Sequence, residues 1–177
     1  MTFITGGARS GKSTLSITLA SKIKGKKAFI ATLKPLDSEM RLRVKLHKRQ
    51  RGKGWDTYEE PIELGMLLRS LSSKYSSIVI DCLTLYLSNI MHKEMDIEKQ
   101  IKELINAILI IRDSGSNIFI VSNEVGMGIV PENKMARRFR DMAGMLNQKV
   151  ARIADEVYLV VSGIPIKISN TKRRGIC

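Results

Sequence analysis

The feature that most constrains the fold is a short apolar run, Thr2–Thr5, that leads directly into Gly6-Gly7-Ala8-Arg9-Ser10-Gly11-Lys12-Ser13. This stretch matches the phosphate-loop (P-loop) pattern G-x-x-x-x-G-K-[ST], and a helical pattern over Lys12–Ile23 follows it. Such glycines let backbone N–H groups face an anion, and the positive end of the helix dipole lies at the same point. We expect Lys12 to reach the β- and γ-phosphates of a nucleotide and Ser13 to bind Mg²⁺. A glycine-rich turn without a ligand is the less favoured alternative, because the strand and the helix that the motif requires are both present.

Short apolar runs alternate with longer helical patterns along the rest of the chain, which is typical of an α/β protein with a mostly parallel sheet and helices on both faces. Further strands are predicted at Ala28–Thr32, Ser77–Asp81, Asn117–Ser122 and Glu156–Val161, with a short edge strand at Ile164–Ile168. Further helices are predicted at Ser38–Arg51, Ile62–Ser73, Ile97–Ser114 and Asn133–Ala154. Residues 1–177 are expected to form a single nucleotide-binding domain, with 170–177 as a frayed basic tail.

The charge of the chain suggests an anionic partner, because the 177 residues carry a formal net charge of +13. A nucleotide, a nucleic acid and a membrane surface all remain possible on this ground. No run approaches the roughly 18 apolar residues of a membrane span, and no signal peptide is evident. The two cysteines, Cys82 and Cys177, suit neither a disulfide framework nor a zinc site. A reducing cytoplasm is therefore the expected compartment.

An acidic residue, Asp81, ends the predicted strand Ser77–Asp81. P-loop proteins place a Mg²⁺-binding carboxylate at this kind of position, where it acts directly or through water. Asp81 could instead cap the helix that follows, and the two roles are compatible.

A basic segment, Met40–Trp55, contains one histidine and no acidic residue. On a helix, His47 would have Arg43 and Arg51 as neighbours, and these fixed cations disfavour its protonated form. A neutral imidazole could attack a phosphorus atom and carry a nucleotidyl group. The alternative is an ordinary surface histidine on a basic helix. The other histidine, His92, is expected in a loop over Asn89–Glu94 and has no assigned role.

Three further stretches stand out. Glu59 and Glu60 could bind a ribose, a base edge or Mg²⁺, or could merely balance the basic segment. The glycine-containing stretch Ser122–Gly128 follows a predicted strand, at the edge where α/β proteins bind ligands. The charged residues of the last helix, among them Arg137, form either an interface or a solvated face.

Longer motifs give the chain a specific resemblance over Thr5 to about Ile168. They are ITGGARSGKS at Ile4–Ser13, FIAT at Phe29–Thr32, DSEMRLRVKLHKRQR at Asp37–Arg51, WDTYEEP at Trp55–Pro61, DCLTLYLSN at Asp81–Asn89, SNEVGMGIVPEN at Ser122–Asn133 and RRFRDMAGMLNQ at Arg137–Gln148. In these motifs the chain resembles the bifunctional adenosylcobinamide kinase/adenosylcobinamide-phosphate guanylyltransferase family of cobalamin biosynthesis. The order and spacing of the blocks after the P-loop make a chance match improbable.

The resemblance implies a RecA-like P-loop fold, a homotrimer and two reactions. The first would phosphorylate adenosylcobinamide with ATP or GTP. The second would transfer GMP from GTP to adenosylcobinamide phosphate through a guanylylated histidine, which corresponds to His47. The implied nucleotide contacts are Gly6, Gly7, Ala8, Arg9, Ser10, Gly11, Lys12, Ser13, Ala31, Thr32, Leu33, Lys48, Arg49, Gln50, Arg51, Glu59 and Asp81. Mg²⁺ would lie between Ser13 and Asp81.

Some positions depart from the family pattern. Arg51-Gly52 stands where Arg-Pro is usual, Leu33 where a small residue is common and Tyr86 where Trp is expected. The guanine-reading N-K-x-D signature is absent, so a GTP preference depends on the resemblance alone. Two rival functions remain: a P-loop small-molecule kinase without nucleotidyl transfer, and a nucleotide-regulated nucleic-acid-binding protein suggested by the charge. Few aromatic residues are available for stacking on bases, which disfavours the second rival.

Overall fold

The computed structural model describes residues 1–33 and 54–168, which contain one seven-stranded sheet. Its strands are β1 (Thr2–Gly6), β2 (Lys27–Ala31), β3 (Trp55–Glu59), β4 (Ser77–Asp81), β5 (Asn117–Val121), β6 (Glu156–Val161) and β7 (Ile164–Ile168). They lie in the order β3-β2-β4-β5-β1-β6-β7. All neighbouring strands are parallel except β6 and β7, which form an antiparallel hairpin.

The strands predicted from continuous apolar runs are all present, and the mostly parallel α/β class is confirmed. Their burial explains the sequence pattern, because every residue of β1 and the first four residues of β4 are buried. A strand that is covered on both faces has no need of alternating polar residues. The short edge strand predicted at Ile164–Ile168 is β7, whose side chains are all exposed.

The described residues form the helices α1 (Lys12–Ser21), α2 (Leu64–Ser70), α3 (Leu83–His92), α4 (Ile97–Asp113) and α5 (Lys134–Ile153). Side-chain caps fix two of their starts: Asp96 accepts a hydrogen bond from the backbone N–H of Lys99, and Asn133 accepts from those of Met135 and Ala136. The helix predicted over Ser38–Arg51 lies outside the described residues. In the part of the chain that is described, no helix is long and apolar enough to cross a membrane.

Two elements were not predicted from the sequence. The edge strand β3 has no fully buried residue, so it lacks the apolar run that marks the inner strands. Helix α3 begins after a single residue, Cys82, and its apolar side chains continue the apolar run of β4. The expected loop over Asn89–Glu94 is therefore wrong, because His92 is the last residue of α3.

The two faces of the sheet carry cores of very different size. On the α1 face, Ala20 of the helix packs with Phe29, Ala31, Val79 and Phe119 of the strands. The opposite face packs against α2, α3, α4 and α5 in a much larger core. Alternate residues of each strand point to opposite faces, so β4 contributes Val79 to the small core and Ile78 and Ile80 to the large one.

Candidate active site

Three of the predicted nucleotide contacts lie side by side at the carboxyl edge of the sheet. The Cα of Ala31 is in register with Glu59 of β3 on one side and Asp81 of β4 on the other. Val79, two residues before Asp81, packs on the α1 face, so Asp81 points to that face as well. The structure thus brings Ala31, Glu59 and Asp81 together on the face that carries the predicted phosphate loop.

The phosphate loop joins β1 to α1, and its shape depends on glycine at two positions. Gly6 has φ +151°, and a Cβ there would lie 2.3 Å from the carbonyl oxygen of Val160 in β6. Gly11 has φ +99° and caps α1 without a side chain. The turn after β6 supports the loop from outside, because the backbone N–H of Gly163 donates to the carbonyl of Ser10 at 2.9 Å. The motif therefore has the strand-loop-helix context that a P-loop requires.

Lys12 lies inside this loop and is only 6% exposed. Its Nζ donates to the carbonyl oxygen of Gly7 at 2.5 Å and is 3.4 Å from the hydroxyl of Ser10. Burial lowers the pKa of Lys12 from its usual value, while nearby Cys82 and Asp81 act in the opposite direction. The ammonium group is thus held within the loop, close to Asp81 and in the position from which a P-loop lysine meets phosphates.

Thr32 ties the ends of β2 and β4 together. Its hydroxyl donates to the carbonyl of Cys82 at 2.7 Å and accepts from the backbone N–H of Cys82 at 2.8 Å, and its own N–H donates to Asp81. Asn89 of α3 donates to the Thr32 carbonyl at 2.8 Å. The Thr32 side chain is fully buried, so its role in this structure is to hold the two strand ends together. Nucleotide contact by Thr32, or by the partly exposed Leu33 beside it, stays a prediction.

A polar network next to this edge was not anticipated from the sequence. Thr84 at the start of α3 accepts from the side-chain amide of Asn123 at 3.1 Å and contacts the thiol of Cys82 at 3.1 Å. From α5, Asn147 donates to the Asn123 carbonyl at 3.2 Å. The sequence signal for this network is a polar residue soon after each of the buried strands β4 and β5. Their partner Asn147 is distant in sequence, so the signal did not predict the contact. The network fixes the chain where it leaves β5.

The stretch that follows β5 runs beside the phosphate loop. The backbone N–H of Glu124 donates to the carbonyl of Gly6, the first residue of the loop, at 2.9 Å. The carboxylate of Glu124 accepts from the backbone N–H of Gly126 at 2.8 Å. The stretch therefore lies beside the phosphate loop at the carboxyl edge of the sheet, as expected, and ligand binding there stays a prediction.

The remaining predicted residues, His47, Lys48, Arg49, Gln50 and Arg51, lie outside the described residues. Within residues 1–33 and 54–168, no group of three or more His, Cys, Asp or Glu side chains is arranged to hold a metal ion. The predicted Mg²⁺ site does not require such a group, because Mg²⁺ at nucleotide sites is commonly held by one or two protein oxygens together with phosphates and water.

Comparison with known sequences gives one consistent result. The profile of one family, described as cobinamide kinase / cobinamide phosphate guanyltransferase, matches residues 2–168. The bifunctional adenosylcobalamin biosynthesis protein CobU of Salmonella typhimurium is 39% identical over 95% of this chain and 99% of its own. CobU of Escherichia coli is 37% identical with the same coverage, and CobP of Pseudomonas aeruginosa is 36% identical over 93% of this chain and 95% of its own.

Comparison with solved structures concerns the fold alone, because the sequence identities are low. A RadB recombinase aligns with a TM-score of 0.53 and 13% identity over 89% of this chain and 72% of its own. A KaiC-like protein from Pyrococcus horikoshii aligns with a TM-score of 0.50 and 12% identity over 89% of this chain and 69% of its own. The RecA-like form of the P-loop fold is thereby confirmed.

Proposed function

Because the chain belongs to the cobinamide kinase / cobinamide phosphate guanyltransferase family, we propose that it catalyses both reactions on adenosylcobinamide. It first phosphorylates the substrate with ATP or GTP, and it then transfers GMP from GTP to the new phosphate to give adenosylcobinamide-GDP. The observation that carries this proposal is Lys12, buried in a P-loop beside Asp81 at the carboxyl edge of a RecA-like sheet.

In the kinase step, the hydroxyl of the aminopropanol arm attacks the γ-phosphorus of the nucleotide. The bond from the γ-phosphorus to the bridging oxygen breaks, and its electron pair stays on the nucleoside diphosphate. Lys12 and the backbone N–H groups of the loop Gly6–Ser13 stabilise the negative charge that develops there. Because Lys12 is already held in place by the loop, little reorganisation is needed when the nucleotide arrives.

The donor set at this site fits Mg²⁺. Ser13 offers a hydroxyl oxygen and Asp81 a carboxylate, and oxygen atoms are the ligands that Mg²⁺ prefers. Ser13 follows Lys12 in the chain, and Asp81 is near enough to Lys12 to influence its pKa, so both flank the place where phosphates would lie. When bound, Mg²⁺ would supply positive charge to the phosphate oxygens. Ser13 and Asp81 would hold it directly or through water.

In the transfer step, a ring nitrogen of His47 attacks the α-phosphorus of GTP and pyrophosphate leaves. A phosphate oxygen of adenosylcobinamide phosphate then attacks the same phosphorus, and the bond to His47 breaks. Covalent catalysis of this kind replaces one difficult transfer by two easier ones. Lys48, Arg49, Gln50 and Arg51 would hold the remaining phosphates, while Ala31, Thr32, Leu33 and Glu59 would contact the rest of the nucleotide.

The covalent step can be tested with α-³²P-GTP and Mg²⁺, followed by denaturing electrophoresis. Wild type should acquire an acid-labile, alkali-stable label, as expected for a phosphorus–nitrogen bond, and His47→Ala should not. His92→Ala is the matched control, because His92 is the other histidine of the chain and ends α3; it should label like wild type. An unlabelled wild type that still binds nucleotide would favour a kinase without nucleotidyl transfer, with His47 as a surface residue.

The assembly and the cellular setting complete the proposal. A homotrimer is supported by apolar side chains that the described chain leaves exposed, among them Met127, Ile129 and Ile164. Sedimentation equilibrium should give three times the chain mass of 19.9 kDa, and a monomer mass would contradict the trimer. The cytoplasm supplies ATP and GTP, so we place both reactions there. We propose that the protein does not act by binding nucleic acid. Tight, salt-dependent binding of DNA or RNA would contradict this part of the proposal.

A further inference from the structure

The two proposed reactions differ in what must happen to a proton. The alcohol that attacks in the kinase step loses its O–H proton as the oxygen–phosphorus bond forms, so a nearby base accelerates it. The transfer step uses an imidazole nitrogen and then a phosphate oxygen as nucleophiles. Both present a free electron pair, and neither requires the removal of an O–H proton. A general base should therefore serve the first reaction and not the second.

Few carboxylates at the carboxyl edge of the described sheet can take that role. Asp81 is assigned to Mg²⁺. Glu60 caps the start of the next segment, because its carboxylate accepts from the backbone N–H groups of Ile62 and Glu63 at 2.9 and 2.8 Å. Glu59 lies on β3, four strand positions from β1, which is about 19 Å at the usual strand spacing.

Glu124 is placed differently, because it follows β5, the strand between β4 and β1. It therefore lies between Asp81 and the phosphate loop, about one strand spacing of roughly 5 Å from β1. Its backbone N–H donates directly to Gly6 of the loop. This main-chain hydrogen bond ties the position of Glu124 to the loop that would hold the γ-phosphate.

The carboxylate of Glu124 is also held in position. On one side, Asn123 is fixed by its hydrogen bonds with Thr84 and Asn147. On the other, Val125 packs against the large core. One carboxylate oxygen accepts from the N–H of Gly126, and no side chain of residues 1–33 or 54–168 donates to the other oxygen. A partly buried carboxylate that is anchored by one oxygen and offers the other suits a proton acceptor.

We infer that Glu124 is the general base of the kinase reaction, an inference that rests on the proposed function. The free carboxylate oxygen accepts the hydroxyl proton as the substrate oxygen bonds to the γ-phosphorus. The electron pair of the broken γ-phosphorus–oxygen bond leaves with the nucleoside diphosphate, and the proton passes from Glu124 to water. Glu124 has no corresponding task in the guanylylation of His47.

The test compares both half-activities of Glu124→Gln. Glutamine has the same shape and keeps the acceptor for the Gly126 N–H, so the fold is retained, but it cannot accept the proton. Phosphorylation of cobinamide from γ-³²P-ATP should fall about 100-fold or more. Labelling of the protein by α-³²P-GTP, and transfer of GMP to cobinamide phosphate supplied ready-made, should be unchanged. Glu132→Gln, an exposed glutamate in the same connection, should retain both activities.

A second variant tests the position of the carboxylate. A Cβ at Gly126 would lie 3.0 Å from the carboxylate oxygen of Glu124, so Gly126→Ala displaces it slightly. This variant should lower the kinase rate alone, and by less than Glu124→Gln does.

The outcomes separate this inference from the proposed function. Full kinase activity in Glu124→Gln would overturn the role of Glu124 and leave the proposed function intact. Loss of GMP labelling together with kinase activity would also overturn it, because Glu124 would then serve nucleotide or metal binding. A wild-type protein that neither phosphorylates cobinamide nor accepts GMP would remove both the function and the role of Glu124.

Discussion

The two faces of the sheet divide the work of the molecule between neighbouring residues of the same strands. In β4, Val79 and Asp81 point to the α1 face, where a small core ends at the phosphate loop. Ile78 and Ile80 point to the opposite face, where helices α2 to α5 build the large core. The proposed active site thus lies at the end of the smaller core, and the larger core packs on the other face of the sheet.

The residues at the carboxyl ends of the strands also fall into two groups, one suited to a ligand and one that is structural. The last residues on the α1 face include charged groups, Glu59 and Asp81, that are suited to a ligand. One residue later in each chain segment, Thr32 and Cys82 are buried and hydrogen-bonded to each other. A shift of one residue in strand register would turn Glu59 and Asp81 away from the α1 face, so the position of the proposed site depends on the strand pairing.

The largest effect should come from the α1 face. Lys12→Met should lower the kinase rate about 10³-fold, because a charged donor aimed at the transferred phosphate is lost. Steady-state assays with cobinamide would measure it, and Lys22→Met, at an exposed lysine just after α1, should behave like wild type. Equal losses in the two variants would mean that general surface charge, and not the buried lysine, matters.

The stability of the two faces can be compared with adjacent residues of β4. Ile80→Ala, in the large core, should lower the free energy of unfolding by about 3 kcal/mol. Val79→Ala, in the small core, should cost about 2 kcal/mol, since fewer methyl groups are removed. Urea titration would give both values. A larger cost for Val79→Ala would show that the small core is the main source of stability.

Loss of the hydrogen bonds between Thr32 and Cys82 should have a smaller effect. Thr32→Val keeps the side-chain shape but leaves the buried N–H and C=O of Cys82 without their partner, which should cost about 2 kcal/mol. Because the same residue holds the ends of β2 and β4, nucleotide affinity should fall as well. Thr18→Val, at an exposed position of α1, is the control for loss of a hydroxyl. Unchanged nucleotide affinity in Thr32→Val would show that these hydrogen bonds do not influence the nucleotide site.

The smallest effect should be a dependence of stability on pH. Burial lowers the pKa of Lys12 below its usual 10.5, so the unfolded chain binds more protons between the folded-state value and 10.5. Wild-type stability should therefore rise with pH across that window, relative to Lys12→Met, which lacks the group. At neutral pH the variant should have a slightly higher Tm, and the gap should close towards pH 10.5. A gap that is constant with pH would contradict this.

Local sequence patterns were sufficient for the parts of the molecule whose signals are local. The run Thr2–Thr5, the glycines and Lys12 specify strand, loop and helix within a short stretch, and Asp81 ends a continuous apolar strand. The rule that ligands bind at the carboxyl ends of parallel strands then placed these residues, and the stretch after β5, at one edge. The resemblance supplied the predicted roles of His47 and Glu59, which their local sequences left open and which stay predictions.

The unpredicted parts depend on contacts between residues far apart in sequence. Thr32 resembles any buried threonine until β2 and β4 pair and bring Cys82 to it. Strand β3 is recognised by its pairing with β2, since its own residues are partly exposed. The position of Glu124 beside Gly6 likewise depends on the strand order, in which β5 lies between β4 and β1.

The support that the β6–β7 turn gives to the phosphate loop has a consequence for biosynthesis of the protein. Translation produces the loop early, but its neighbours β5 and β6 begin at Asn117 and Glu156, and the brace at Gly163 comes later still. A nascent chain that stops before Val160 contains the motif without the strand and turn that shape it. We therefore expect the proposed nucleotide binding to be acquired late, so that fragments released by interrupted translation would not sequester GTP.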